Sequence, residues 1–416
     1  MTQTNEKAER ITRFTDTPEY KAFAERSRTL FAHGNPYFVC HDSPLTDTSL
    51  MAGQRVLNFG SYNYAGMSGR KEVSEAAKRA IDMYGTSASG SRLLAGEKTL
   101  TQELERAIAD WKHAEAALVL VGGHSTNVTC VGHFCGEGDL ILYDALIHNS
   151  VAEGCRLSHA TCRPFPHNDP EALRRILSTR RDRFRKALIC IEGVYSMDGD
   201  IAPVPEFVKI KQEFGCFLMV DEAHSTCVIG ETGGGVDEYF GLDPKAIDIK
   251  MGTLSKGLGA CGGYLAGDFD LIEYMRYNLP GFVFSVGISP ALAAAALESV
   301  RLMRSDPSIM ENMRCNVACF VEAAAKRHGF DIGLAGRTAI VPVTVGEDDD
   351  AAELSNRMRE KGVFVPPAVY PAVPRGEARL RFCLTAAHRP EQIVEALNKL
   401  EEAAAELGID LKRRAG

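Results

Sequence analysis

Five short apolar runs between residues 116 and 254 constrain this chain more than any other feature. They are AALVLV (116–121), DLILYD (139–144), ALICIE (187–192), CFLMVD (216–221) and DIKMGTL (248–254). Each has strand length and is apolar almost throughout rather than alternating. Polar stretches of helical length, such as VPEFVKIKQEFG (204–215), separate them. A strand apolar on both sides must be buried on both, which predicts a mostly parallel sheet covered by helices and an α/β fold.

Beyond about residue 288 the pattern changes. Helices are predicted over 289–305 and 307–328, then an apolar run TAIVPVTV (338–345), a helix near 351–361, ARLRFCLT (378–385) and a final helix over 389–407. This describes a smaller α+β domain. A chain of 416 residues accommodates such a division. The expected organisation is an N-terminal helical segment (1–54), a large domain (55–288) and a small C-terminal domain (289–416).

The bulk composition narrows the function classes. A net charge of −8 argues against a long basic surface for nucleic acid. The polar, mixed-charge N-terminus carries no signal segment, and the longest apolar runs are too short to span a bilayer, so a cytoplasmic protein is expected. No basic amphipathic helix stands out, which leaves at most a peripheral membrane contact. Twelve cysteines without a CxxC pair are expected to be reduced thiols, and no metal site is expected.

The tetrapeptide Asp221-Glu222-Ala223-His224 occurs in nucleotide-driven helicases. Such a motor needs GxxxxGK[ST] to wrap the phosphates, and this chain contains no Gly-Lys dipeptide. The motor is excluded. What remains is position: Asp221 ends an apolar strand, where α/β sheets bind ligands, although a strand-ending Asp also caps turns. GLGACG (257–262) matches GxGxxG but runs into the strand-like GYLAG, so a dinucleotide site is not expected there.

Lys256 sits among small residues in MGTLSKGLGACGG, 35 residues after Asp221. A lysine in a dry pocket can be neutral enough to form a Schiff base, and pyridoxal phosphate uses such a lysine with an Asp partner on its ring nitrogen. Most lysines are plain surface groups, but the small residues crowding both sides leave room for a planar ligand. LVLVGGHSTNVTCV (118–131) supplies a strand, a Gly-Gly turn and a helix start, where exposed N–H groups hold phosphate.

Six strings in order, GSYNYAG, GSRLLAGE, EGVYSMDGD, VDEAHS, GTLSKGLGACGGY and RLRFCLTAAH, make the chain resemble the α-oxoamine synthases from about residue 55 to 405. These are pyridoxal-phosphate enzymes of fold type I, homodimeric with active sites at the interface. Within the family the strings look most like serine palmitoyltransferases. The resemblance implies that Lys256 carries the cofactor and moves the substrate α-proton. Asp221 would keep the ring nitrogen protonated, His224 would bond the ring oxygen with Ser196 nearby, and His148 would stack on the ring. Gly123, His124, Thr253 and the partner subunit's Ser285 would hold the phosphate. Arg381 would grip the substrate carboxylate, with Arg379 beside it, while Tyr62 and Asn63 would reach into the neighbouring subunit's site.

The implied reaction is a decarboxylative condensation of L-serine with a long-chain acyl thioester, as CoA ester or carrier-protein ester, opening sphingolipid synthesis. The alternative is alanine or glycine with another acyl group, as in 8-amino-7-oxononanoate synthases or specialised metabolism. One departure concerns the acyl donor: many relatives carry a histidine where this chain has Thr101.

Overall fold

The computed structural model describes residues 11–412. Helix α1 (Pro18–Leu30) starts where Thr17 accepts a hydrogen bond from the Tyr20 amide and Pro18 presets the first turn. Strands β1 (Thr48–Met51) and β2 (Gln54–Asn58) follow as a hairpin, then α2 (Lys71–Tyr84) and α3 (Thr99–Trp111). The segment 1–54 is therefore not simply helical: its described part ends in strand β1, and β2 begins at residue 54.

The central unit runs β3 (Ala116–Leu120), α4 (Gly123–Phe134), β4 (Leu140–Asp144), α5 (Asn149–Leu157), β5 (Thr161–Phe165), α6 (Pro170–Arg180), β6 (Ala187–Glu192), α7 (Val204–Phe214), β7 (Phe217–Asp221), α8 (Val236–Phe240), β8 (Ile249–Thr253) and β9 (Gly263–Gly267). These seven strands form one sheet in the order β3-β9-β8-β7-β6-β4-β5. All run parallel except β9, which pairs antiparallel with β3 and β8. The expected both-face burial is visible residue by residue. Ile189, Ile191, Leu218 and Val220 join one core cluster, while Leu188, Cys190, Met219 and Met251 join another on the opposite face.

The chain continues through α9 (Phe269–Asn278), α10 (Pro280–Val283), α11 (Pro290–Ser305), α12 (Ser308–Val321), β10 (Ile340–Gly346), α13 (Asp348–Glu360), β11 (Val363–Phe364), β12 (Pro367–Ala368), β13 (Ala378–Cys383) and α14 (Pro390–Leu407). Strands β10, β13 and β12 form an antiparallel sheet with β13 at its centre, every residue buried. A third sheet sets β2 between β1 and β11, so residues near 58 pair with residues near 363. Among the described residues no helix is long and apolar enough to cross a membrane, and no three His, Cys, Asp or Glu side chains are grouped to hold a metal.

The parallel strands β3, β4, β6, β7 and β8 all deliver their carboxyl ends to one edge. Gly123, Asp144 with His148, Glu192, Asp221 and Thr253 meet there because each ends or follows such a strand.

Candidate active site

Asp221, the last residue of β7, is buried. Its Oδ1 accepts the Ala223 amide at 2.9 Å, the turn-capping role, and its Oδ2 accepts Asn127 Nδ2 at 2.7 Å. Each oxygen keeps a further lone pair for a ligand N–H, so capping and binding coexist. Asn127 lies on α4 and also donates to Ser150 Oγ at 2.9 Å, which in turn stands 2.7 Å from His148 Nδ1. Thus Asp221 and His148 are joined through two side chains that the sequence did not mark. The His148 ring is exposed on the site side, and burial of its remainder lowers its pKa.

Lys256 Nζ lies 2.7 Å from His224 Nε2. Burial draws this amine down to about 8, against the opposing charges of Asp221 and Glu192. His224 is itself buried, and desolvation followed by the Lys256 charge pushes it well below the ordinary imidazole range. Glu192 stands beside Asp221 in register across β6 and β7. It is buried with Oε1 unpartnered, and burial followed by the Asp221 charge raises its pKa far above the carboxylate range.

The Arg381 guanidinium approaches the same place from β13. Its Cζ is 4.8 Å from the Tyr62 ring centroid, and Lys256 Nζ is 5.9 Å from that ring. Nε of Arg381 donates to the Ser196 carbonyl at 2.5 Å, while Nη2 is buried with no partner among the described residues. That leaves one charged donor free for an anion. Arg379, two residues away on the same face, is not free: it binds Asp198 at 2.6 Å and Glu377 at 3.3 Å. The expected sharing of a substrate carboxylate by both arginines is corrected to Arg381 alone.

Tyr62 and Asn63 were expected to serve a neighbouring subunit. Within one chain Tyr62 stands over Lys256 and Arg381. Asn63 is buried and ties both ends of its amide to its own chain, donating to Leu45 O at 2.9 Å and accepting from Ser68 N at 3.1 Å. The residue between them and the next turn, Tyr64, was passed over by sequence reasoning, yet its hydroxyl lies 2.8 Å from His224 Nδ1. A cavity of about 480 Å³ opens above Lys256, walled by Tyr37, Phe38, Leu45, Tyr62 and Phe364.

The start of α4 has no side-chain cap, unlike α5 and α6, which His148 and Asp169 cap. A Cβ on Gly123 would stand 2.8 Å from Thr253 Oγ1, so only glycine lets the helix start come this close to β8. Uncapped N–H groups facing a buried hydroxyl suit a phosphate, the buried Asp221 suits a ring N–H, and the depressed amine of Lys256 suits Schiff-base chemistry. The residues present fit pyridoxal phosphate. His124, at the helix start, is exposed with its ring 6.2 Å from that of His148. Ser196 is partly buried beside Arg381, and Ser285 follows α10, next to the exposed Phe284 and Val286. Among the described residues nothing ties Ser285 to the Lys256 cluster within one chain. Thr101 is buried in the first turn of α3.

Glu222, between Asp221 and His224 in chain order, points the other way. It forms a fully buried ion pair with Lys112, whose ammonium also meets the Gly234 carbonyl. Lys250 and Asp237 form a second buried pair alongside, with Lys250 Nζ 2.7 Å from the Lys112 carbonyl.

Comparison with known proteins agrees with this geometry. The family model for aminotransferase class I and II matches residues 54–400. An 8-amino-7-oxononanoate synthase of Symbiobacterium thermophilum is 38% identical over 367 residues, covering 88% of this chain and 93% of the relative. A serine palmitoyltransferase structure from Sphingomonas wittichii superposes with TM-score 0.89 at 30% identity, covering 94% of this chain and 98% of that one. Another serine palmitoyltransferase, with TM-score 0.88 and 30% identity over the same shares, carries pyridoxal phosphate. The expectation of L-serine, a palmitoyl thioester and entry to sphingolipid synthesis is corrected by these matches. The 8-amino-7-oxononanoate synthases share 35–38% identity, whereas serine palmitoyltransferase shares the shape at 30%.

Proposed function

Since this chain belongs to the aminotransferase class I and II family, in its pyridoxal-phosphate-dependent α-oxoamine synthase branch of fold type I, we propose that it condenses alanine or glycine with an acyl thioester, as 8-amino-7-oxononanoate synthases do. Carbon dioxide and the thiol leave. The observation that carries the proposal is the convergence of the depressed Lys256 amine and the Arg381 guanidinium, with its Nη2 unpartnered among the described residues, over the Tyr62 ring.

When bound, pyridoxal phosphate supplies an electron-withdrawing ring that stabilises the electron pair left by a departing α-proton or carboxylate. The roles proposed for the chain are as follows. Gly123, the start of α4 and Thr253 hold the phosphate, with His124 at its edge. Asp221, oriented by Asn127, accepts a ring N–H and keeps that nitrogen positive. His148 lies along the ring face. Arg381 fixes the amino acid by its carboxylate, for which a planar guanidinium fork is suited. Lys256, neutral above about pH 8, takes the α-proton at Nζ. The partly buried apolar walls of the cavity, Leu45 and Phe364 among them, shield that amine from water and receive the acyl group.

Family members are typically homodimers, and we propose that this chain pairs likewise, the partner subunit's Ser285 completing the phosphate site. The donor is an acyl-CoA or an acyl-carrier protein. Product mass spectrometry with alanine, glycine and serine in competition, against both donors, tests the assignment. Alanine- or glycine-derived ketone should dominate, and a dominant serine product would overturn it.

A further inference from the structure

Tyr64 has no part in the roles above, yet at full burial it touches His224, the imidazole beside Lys256. Its side chain is 0% exposed. Its hydroxyl lies 2.8 Å from His224 Nδ1, and the opposite ring nitrogen, Nε2, lies 2.7 Å from Lys256 Nζ. The three groups form a line from the interior to the floor of the cavity.

The direction of the proton in the first bond follows from the neighbours. Burial pushes the Tyr64 hydroxyl well above its ordinary range, and the nearby Arg381 guanidinium pulls it back. A fully buried O–H is costly to leave without an acceptor, so the proton of Tyr64 goes to whichever acceptor lies within reach. Among the described residues the one hydrogen-bond partner of this hydroxyl is His224 Nδ1. A neutral imidazole has one donor and one acceptor nitrogen, so an Nδ1 that accepts leaves the proton on Nε2. Burial keeps the ring neutral, and the Lys256 amine, drawn down to about 8 by its own burial, has a lone pair to accept the Nε2–H once it is neutral.

We propose that Tyr64 is a positioning residue that fixes His224 as the Nε2–H tautomer, aimed at Lys256 and the cavity. The proposal adds to the proposed function the reason why His224 presents a donor, rather than a lone pair, to whatever occupies the site. A lone Nδ1–H tautomer would reverse that polarity and offer the cavity an acceptor.

The test is nitrogen-15 NMR of histidine-labelled full chain, with pyridoxal phosphate bound and after its removal, His224 being assigned with His224→Gln. The wild type should show a protonated Nε2 and an unprotonated Nδ1 in both states. A protonated Nδ1 in the wild type overturns the proposal whatever any variant does. Tyr64→Phe keeps the ring and removes the hydroxyl. It should retain cofactor, convert His224 to a mixture of tautomers, and lower kcat about 10- to 100-fold with a smaller change in KM for the amino acid. An unchanged His224 signature in a folded Tyr64→Phe also overturns it. The condensation assignment fails separately: a wild type with the expected tautomer that forms no ketone product sinks that assignment and leaves the Tyr64 role standing.

Discussion

Lys112 and Lys256 are both lysines that folding has withdrawn from water, and burial draws each toward about 8. Their surroundings differ in kind. Lys112 is fully buried against the Glu222 carboxylate and the Gly234 carbonyl, so its ammonium has a charged and a neutral acceptor. Lys256 is half-buried at the floor of an open cavity and meets a neutral imidazole instead of a carboxylate. Contact with Glu222 holds the proton on Lys112 and makes it a structural cation. Without such a contact, Lys256 is left as an amine that can lose its proton and react. Burial lowers both groups; the partner decides which of them becomes chemistry.

The comparison can be broken in four ways, the largest effect first. Lys256→Ala should lower turnover by about 10²- to 10⁴-fold, with a melting temperature close to wild type, because it removes a proton-transfer group and no ion pair. Appreciable residual turnover would show that another group moves the proton. Lys112→Ala should do the reverse and cost about 3–5 kcal/mol in urea unfolding, since it strands the Glu222 charge in the interior. An unchanged unfolding midpoint would deny Lys112 its structural role. Adding Glu222→Gln to Lys112→Met should recover most of that loss. The amide keeps an acceptor for the Val236 N–H, 3.2 Å from Glu222 Oε1 in the wild type, and no charge remains unpaired.

The fourth test is pH. Capture of added pyridoxal phosphate by cofactor-free protein requires the neutral amine. Its rate, followed by absorbance, should rise with pH through a midpoint near 8 and fall about tenfold per unit below it. A midpoint above 10 would mean that Lys256 is not withdrawn from water.

Much of the sheet was legible because strands buried on both faces have a sequence pattern of their own. Strand β5 was not. It lies at the sheet edge, is mostly exposed and contains Pro164, so neither apolar continuity nor alternation marks it. The hairpin β1–β2 was also missed, its strands being only four and five residues long. In the site, Lys256, Asp221 and His224 could be found because each follows a strand within a recognisable string. Asn127 and Tyr64 could not, since their meaning lies in contacts across 94 and 160 residues. Arg379 and Arg381 were indistinguishable by period, and only the proximity of Asp198 separated them. The strings that suggested serine are also compatible with its relatives, and overall identity to 8-amino-7-oxononanoate synthases overturned that choice.

The parallel pairing of β2 with β11 has a consequence for how the molecule is made. Roughly 300 residues separate the two strands, yet Leu57 and Asn58 take their partners from Val363 and Phe364. At about 5–20 residues per second, a ribosome needs roughly 15 seconds to a minute to deliver them. Through that interval the hairpin β1–β2 lacks its third strand, and Gly60 to Tyr64, which leave β2 directly, lack the wall against which they settle. The sheet that binds the cofactor can form first; the segment that holds Tyr64 against His224 closes last. A nascent chain halted before residue 363 should therefore have its large sheet and still be unable to complete the cavity.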